Sequence, residues 1–163
     1  MKCNILLVGL DYEFTQGVAL ELSSLFDMFY LDIKGLISYT LSSKQEVVDK
    51  AGVVYFDNQV QKLVLSASEY ENTIINMPYD LYIKDDNSTK LNQTCFSIFL
   101  NLNKQALMEQ DATKDSDKKL TIPLLVFEDL SQKLQTSVEH KIDLTNANIE
   151  ACINKIIDLL KKQ

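Results

Sequence analysis

The chain contains no arginine: all 16 basic residues among its 163 are lysines. Arginine is the side chain whose planar fork grips a carboxylate or phosphate through two parallel hydrogen bonds. Any anionic ligand must therefore be held by lysine or by backbone amides. Basic charge is scarce overall, since 23 acids leave a net charge of -7 and an isoelectric point near 4.7. Nucleic acid and anionic lipid both call for a basic face, so neither is expected as a partner. No apolar run approaches the roughly 20 residues that span a bilayer. Met1-Lys2-Cys3-Asn4 leads into a strand-like run of only about six residues, too short and wrongly flanked for a secretory signal. A cytoplasmic protein is expected, with signal-independent export left open.

Cysteine is sparse. Cys3, Cys95 and Cys152 are widely spaced and form no C-x-x-C pair, so no zinc site and no other metal site is expected. All three read as buried reduced thiols. Histidine occurs once, at His140. It stands beside a strand near the C-terminal end of a helix, with no partner motif, and reads as a surface residue rather than a catalytic one.

What is present is alternation of strand and helix. Residues 3–8, 28–31, 72–77, 94–102 and 141–144 read as strands. Helical spacing is expected over 13–27, 36–50, 53–68, 104–110 and 124–138. Residues 79–83 read as a turn and a short strand. The last helix is the clearest, with Ile149, Cys152, Ile153, Ile156, Ile157 and Leu160 on one stripe, Thr145 or Asn146 as its cap, and Lys161-Lys162 at its negative end. Such alternation implies a parallel sheet covered on both faces. The polar run "QDATKDSDKKL" reads as an exposed loop, in which Lys118-Lys119 are a solvated tip. Tyr70 and residues 79–82 offer further aromatics, taken as exposed.

The stretch "NILLVGLDYEFTQGVAL" sits where an α/β protein would place a glycine-rich phosphate loop. The order of elements and several strings resemble the shikimate kinase family, small kinases with the P-loop fold. "NILLVGL", the helix after it and "FYLDIKGLI" are similar to that family's first strand, phosphate loop, helix and second strand. "EVVDKAGVVYFDNQVQKLV", with Tyr55-Phe56, resembles its substrate-side helices. "CFSIFLNLNKQAL", "IPLL" at 122–125 and "HKIDLTNANIEACINKIIDLLKK" resemble the strand before its lid, the segment after the lid and its ending. The resemblance implies a three-layer α/β sandwich with a five-stranded, mainly parallel sheet. It implies one domain over 1–163, with 111–121 as a mobile lid-like loop.

The chemistry does not follow the fold. The family's loop GxxGxGK[ST] wraps ATP phosphates with backbone amides, its lysine neutralises them, and its hydroxyl holds magnesium. Here only Gly9 matches. The later glycines fall at Tyr12 and Phe14, the lysine at Thr15, and the hydroxyl at Gln16, followed by Gly17. Asp11 and Glu13 add charge of the wrong sign, worth roughly 1 kcal/mol of repulsion per pair at 4 Å in water and about 4 kcal/mol at an effective dielectric of 20. The family's Asp-x-Asp string keeps Asp32 but has Lys34 for its second acid. Its glycine triplet becomes Asn76-Met77-Pro78-Tyr79. Its substrate-side and lid arginines fall at Asp57 and Ile122.

These losses point one way, to a pseudoenzyme that binds no ATP, uses no cofactor and recognises another protein. An alternative is an enzyme or small-molecule binder using Asp32, Lys34 and Asp57 for other chemistry. Residual shikimate phosphorylation stands third. Tyr12 and Phe14 either plug the loop or form, with Asp11 and Glu13, a contact surface.

Overall fold

The fold is seen in a computed structural model, which describes residues 2–116, 119 and 126–163. Five strands, β1 (Asn4–Gly9), β2 (Phe29–Asp32), β3 (Thr73–Pro78), β4 (Cys95–Leu102) and β5 (His140–Leu144), form one sheet in the order β2-β3-β1-β4-β5. Every neighbouring pair is parallel. The sheet is thus wholly rather than mainly parallel. β1 and β3 are buried at every position, which is why they read as unbroken apolar runs rather than alternating ones.

Helix α1 (Tyr12–Phe26) buries Phe14, Val18 and Leu22 at four-residue spacing and packs on β3 and on the last helix, α9 (Ile149–Leu160). Gly17 permits that approach: a Cβ there would stand 2.9 Å from Ile149 Cδ1. Helix α9 buries Cys152, Ile153 and Ile156. Between β2 and β3 lie α2 (Ile33–Leu41), α3 (Lys44–Ala51) and α4 (Val53–Ser66). Between β3 and β4 lie α5 (Tyr79–Tyr82) and α6 (Asn87–Thr94), and α7 (Lys104–Ala112) and α8 (Phe127–Ser137) separate β4 from β5. Among the described residues no helix is long and apolar enough to cross a membrane.

Several expectations from sequence are corrected. The helix expected over 36–50 is two, because Ser42 takes φ 55° and Ser43 caps a new helix through the amide of Glu46. Residues 79–82 form helix α5 rather than a turn and strand. Tyr82 is not an exposed aromatic but fully buried, its hydroxyl 2.8 Å from Asn92 Oδ1 and 3.0 Å from the carbonyl of Ser137. Asn148, not Thr145 or Asn146, caps α9 by accepting from the amide of Ala151. His140 lies within β5, half-buried, its ring stacked on Phe96 at 4.3 Å. The expected loop gives way at its start to α7, which runs to Ala112. Lys119 is exposed, while Lys118 and the whole of "IPLL", Ile122 included, lie outside the described residues.

Cys95 and Cys152 are buried, but Cys3 is exposed. Burial pushes the Cys95 thiol up and that of Cys152 to about 12. Only thiolate is nucleophilic. Iodoacetamide at about pH 8 should therefore label Cys3 in the folded protein and reach the other two only in denaturant, counted by intact mass. Labelling of all three at one rate would contradict the packing.

Candidate functional site

The strands' carboxyl ends meet where the chain order reverses on either side of β1, the position at which α/β sheets place their crevices. Four residues after β1 decide what this crevice contains. Asp11 adopts extended backbone (φ -97°, ψ 101°) and caps α1, its carboxylate accepting from the amide of Phe14 at 3.2 Å. A first-turn amide of the kind that would hold a phosphate is thus already satisfied from within the chain. The carbonyl of Asp11 accepts from the amide of Thr15 at 3.1 Å and from its hydroxyl at 2.9 Å.

Lys114, two residues beyond α7, reaches the same carboxylate, with Nζ 2.7 Å from Asp11 Oδ1. Both side chains are withdrawn from solvent, at 8% and 1% exposure. Asp11 Oδ2 is buried with no hydrogen-bond partner. Beside this pair lies a crevice of 360 Å³ lined by Glu13, Phe14, Gln110, Thr113, Lys114, Asp115, Ala147 and Ile149.

Tyr12 turns the other way, toward β2. Its hydroxyl donates to Asp32 Oδ1 and accepts from the amide of Lys34 at 3.4 Å, while Lys34 Nζ sits 4.1 Å above its ring. Burial, then the hydrogen bond and negative charge of Asp32, push the Tyr12 hydroxyl far above its ordinary pKa. It is a fixed donor, not a base. Phe14 is in the core at 7% exposure. Both aromatics therefore fold inward.

Beneath Tyr12, Asn76 on β3 pairs in register with Asp32 and is fully buried, yet neither its Oδ1 nor its Nδ2 has a partner. The Tyr30 hydroxyl nearby is also buried and unpartnered. Burial raises its pKa; Gln16 and Asn76 draw it partway back without a hydrogen bond of normal geometry. Such orphaned groups cost about 1–3 kcal/mol each relative to satisfied ones.

The structure thus brings Asp32 and Lys34 together around Tyr12 but leaves Asp57 exposed on α4. Lys114 was illegible in sequence, because a lysine in a polar run carries no periodicity. Asn76 gave only its place in a strand.

The fold class implies Mg·ATP, and the residues do not fit it. Thr15, which the resemblance aligns with the loop lysine, spends its hydroxyl on the Asp11 carbonyl. The lysine that does reach the loop is paired with Asp11. Asp32 is engaged by Tyr12.

No protein-family model matches the sequence, and neither does any curated protein. Solved structures do match. Shikimate kinase from Aquifex aeolicus superposes with a TM-score of 0.75 at 18% identity, covering 97% of this chain and 96% of that one. Shikimate kinase from Acinetobacter baumannii in complex with shikimate gives 0.74 at 19%, covering 99% and 94%. Dephospho-CoA kinase from Campylobacter jejuni gives 0.60 at 12%, covering 99% and 98%. The chain has a shikimate-kinase-like P-loop kinase fold.

Proposed function

We propose that this chain is a catalytically inactive relative in fold of the shikimate kinases, acting in the cytoplasm as a binding, regulatory or assembly module with another protein as partner. One observation carries the reading: the groups that would hold ATP phosphates and magnesium are satisfied by the chain itself, Phe14 N and Lys114 by Asp11, and Asp32 by Tyr12. A protein partner is favoured over nucleic acid or a membrane by the net charge of -7. Phe29 on the edge strand β2, Tyr39 on α2 and Val54 on α4 are left 73%, 90% and 74% exposed. Mg·ATP is expected to give no thermal shift and no calorimetric heat of binding. A micromolar dissociation constant, abolished by substitutions within 11–16, would refute the reading.

A second reading rests on Asn76. A fully buried amide with neither atom paired, next to Asp32 and under Tyr12 and Lys34, favours a small polar molecule taken into this crevice. A metabolite that raises the melting temperature, with the rise gone in Asp32→Ala, would favour it.

A further inference from the structure

A second groove, of 410 Å³, lies between α8 and the junction of β4 with α7. It shares no lining residue with the crevice beside Asp11, and neither Tyr12, Asp32 nor Asn76 lines it. Its volume falls in the roughly 300–1,000 Å³ of small-molecule sites. One wall is a stripe of α8, with Ser131, Gln132, Gln135 and Thr136 at helical spacing. On the other wall two asparagines are each tied down by one amide atom. Asn101 Nδ2 donates to Asp143 Oδ1 at 2.7 Å, across the β4–β5 register, which leaves its Oδ1 to accept. Asn103 Oδ1 accepts from the amide of Ala106 at 2.8 Å as the cap of α7, which leaves its Nδ2 to donate. Ser131 is the anomaly. Hydroxyls on helices commonly turn back onto a carbonyl of the preceding turn. Thr136 and Ser137 of the same helix do so, at 3.1 Å from the carbonyl of Gln132 and 2.7 Å from that of Lys133. Ser131 Oγ is shielded from solvent and has no partner among the described residues.

We propose that this groove binds a neutral saccharide. The charges in its lining cancel, one lysine, Lys104, against one acid, Glu128, so neither an anion nor a cation is favoured. The other polar side chains are carboxamides and hydroxyls, which both donate and accept. A hydroxyl-rich molecule offers the same two capacities at every group. Phe127, 8% exposed, adds an apolar surface for the C–H face of a sugar ring. Asn101 Oδ1 and Asn103 Nδ2 are an acceptor and a donor already oriented, so little ordering is required when a ligand enters. A sugar hydroxyl gives Ser131 the partner that neither the chain nor bulk water supplies. The proposal goes beyond the function proposed above and does not rest on it.

The test is a titration of the isotope-labelled full chain, followed at its side-chain carboxamides in nitrogen–proton correlation spectra. The probes are D-glucose, D-mannose, N-acetyl-D-glucosamine and maltose, with inorganic phosphate and glycine as charged controls. At least one sugar should give saturable shifts of the Asn101 and Asn103 amides, with a dissociation constant of about 10 mM or tighter. The controls should give none. Asn103→Asp keeps the cap of α7, since the two residues serve about equally there, but removes the donor. It should weaken the sugar about threefold to tenfold, read at Asn101. Ser131→Ala should weaken it comparably and yet raise the melting temperature by about 2–4 °C, because an orphaned hydroxyl is replaced by a better helix former. Binding should persist in Asp32→Ala, which separates this groove from the crevice of the second reading. No saturable shift with any of the four sugars overturns the proposal. So does sugar binding that Asn103→Asp or Ser131→Ala leaves unchanged, binding that is lost with Asp32, or a larger response to phosphate or glycine. An unchanged or lower melting temperature for Ser131→Ala also overturns it, because the hydroxyl would then have a partner already. If Asn103→Asp does not fold, the two readouts of Ser131→Ala decide.

Discussion

Replacing Lys114 with methionine should lower the stability of the fold by about 3 kcal/mol or more, read as a fall in the urea midpoint at constant m-value. The reason is asymmetry. A buried ion pair gains little over apolar packing, because both charges had to leave water. Removing one partner alone strands the other. Asp11 is the stranded group here, at 1% side-chain exposure and with one oxygen already unpartnered. Methionine matches the lysine stem and keeps its packing, so the loss reports the charge. Asp11→Asn/Lys114→Met should recover most of it, since a neutral amide still caps α1. Salt should change little, because a pair excluded from solvent is poorly screened. Lys90 on α6 and Asp86 just before it provide the contrast: their side chains are 49% and 59% exposed, and Lys90→Ala should cost only about 0.3–0.5 kcal/mol. A Lys114→Met effect as small as that would mean the end of α7 peels away and lets water reach Asp11.

That contrast also marks where sequence reading runs out. The sheet was legible because β1, β3 and β4 are covered on both faces and so carry apolar runs. Helix α9 was legible because one stripe of isoleucine and leucine repeats at helical spacing. Helix α6 was not, since its buried positions are Asn87 and Leu91, and asparagine carries no apolar signal. Asn87 is held by Gln61 and by the carbonyl of Leu81, partners that exist only once α4 and α5 are folded against it. Tyr82 and His140 were misplaced for the same reason, being amphipathic side chains whose burial is settled by tertiary neighbours. At the site, the residue types of the loop were readable from sequence: two acids, two aromatics, no lysine. The identity of what fills the loop was not. Asp11 reads as a repulsive charge until Lys114 is seen beside it, and nothing in a polar run distinguishes Lys114 from its neighbours. Local periodicity reports which faces are dry; it cannot report which distant charge a buried acid will meet.

Gly9 is where the two levels meet, and substituting alanine there should cost about 2 kcal/mol, the scale of an overpacked core. In a phosphate loop this glycine would be kept for close approach of the ligand. In this chain packing alone requires it. A Cβ at Gly9 would stand 2.5 Å from Thr15 Oγ1 and 3.2 Å from the carbonyl of Leu100. The first atom is tethered to the Asp11 carbonyl, and the second is β4 backbone, so neither gives way freely. No left-handed conformation is involved: among the described residues, the only glycine with positive φ is Gly52. Combining Gly9→Ala with Thr15→Ala should recover part of the loss, for a coupling of about 1 kcal/mol in a double-mutant cycle. It should not recover all of it, because the Leu100 carbonyl remains. An uncoupled pair with unchanged stability would return Gly9 to the ligand reading. A coupled pair would mean that this glycine persists without any phosphate to hold, because α1 starts so close to β1 that Thr15 already fills the space a side chain would need.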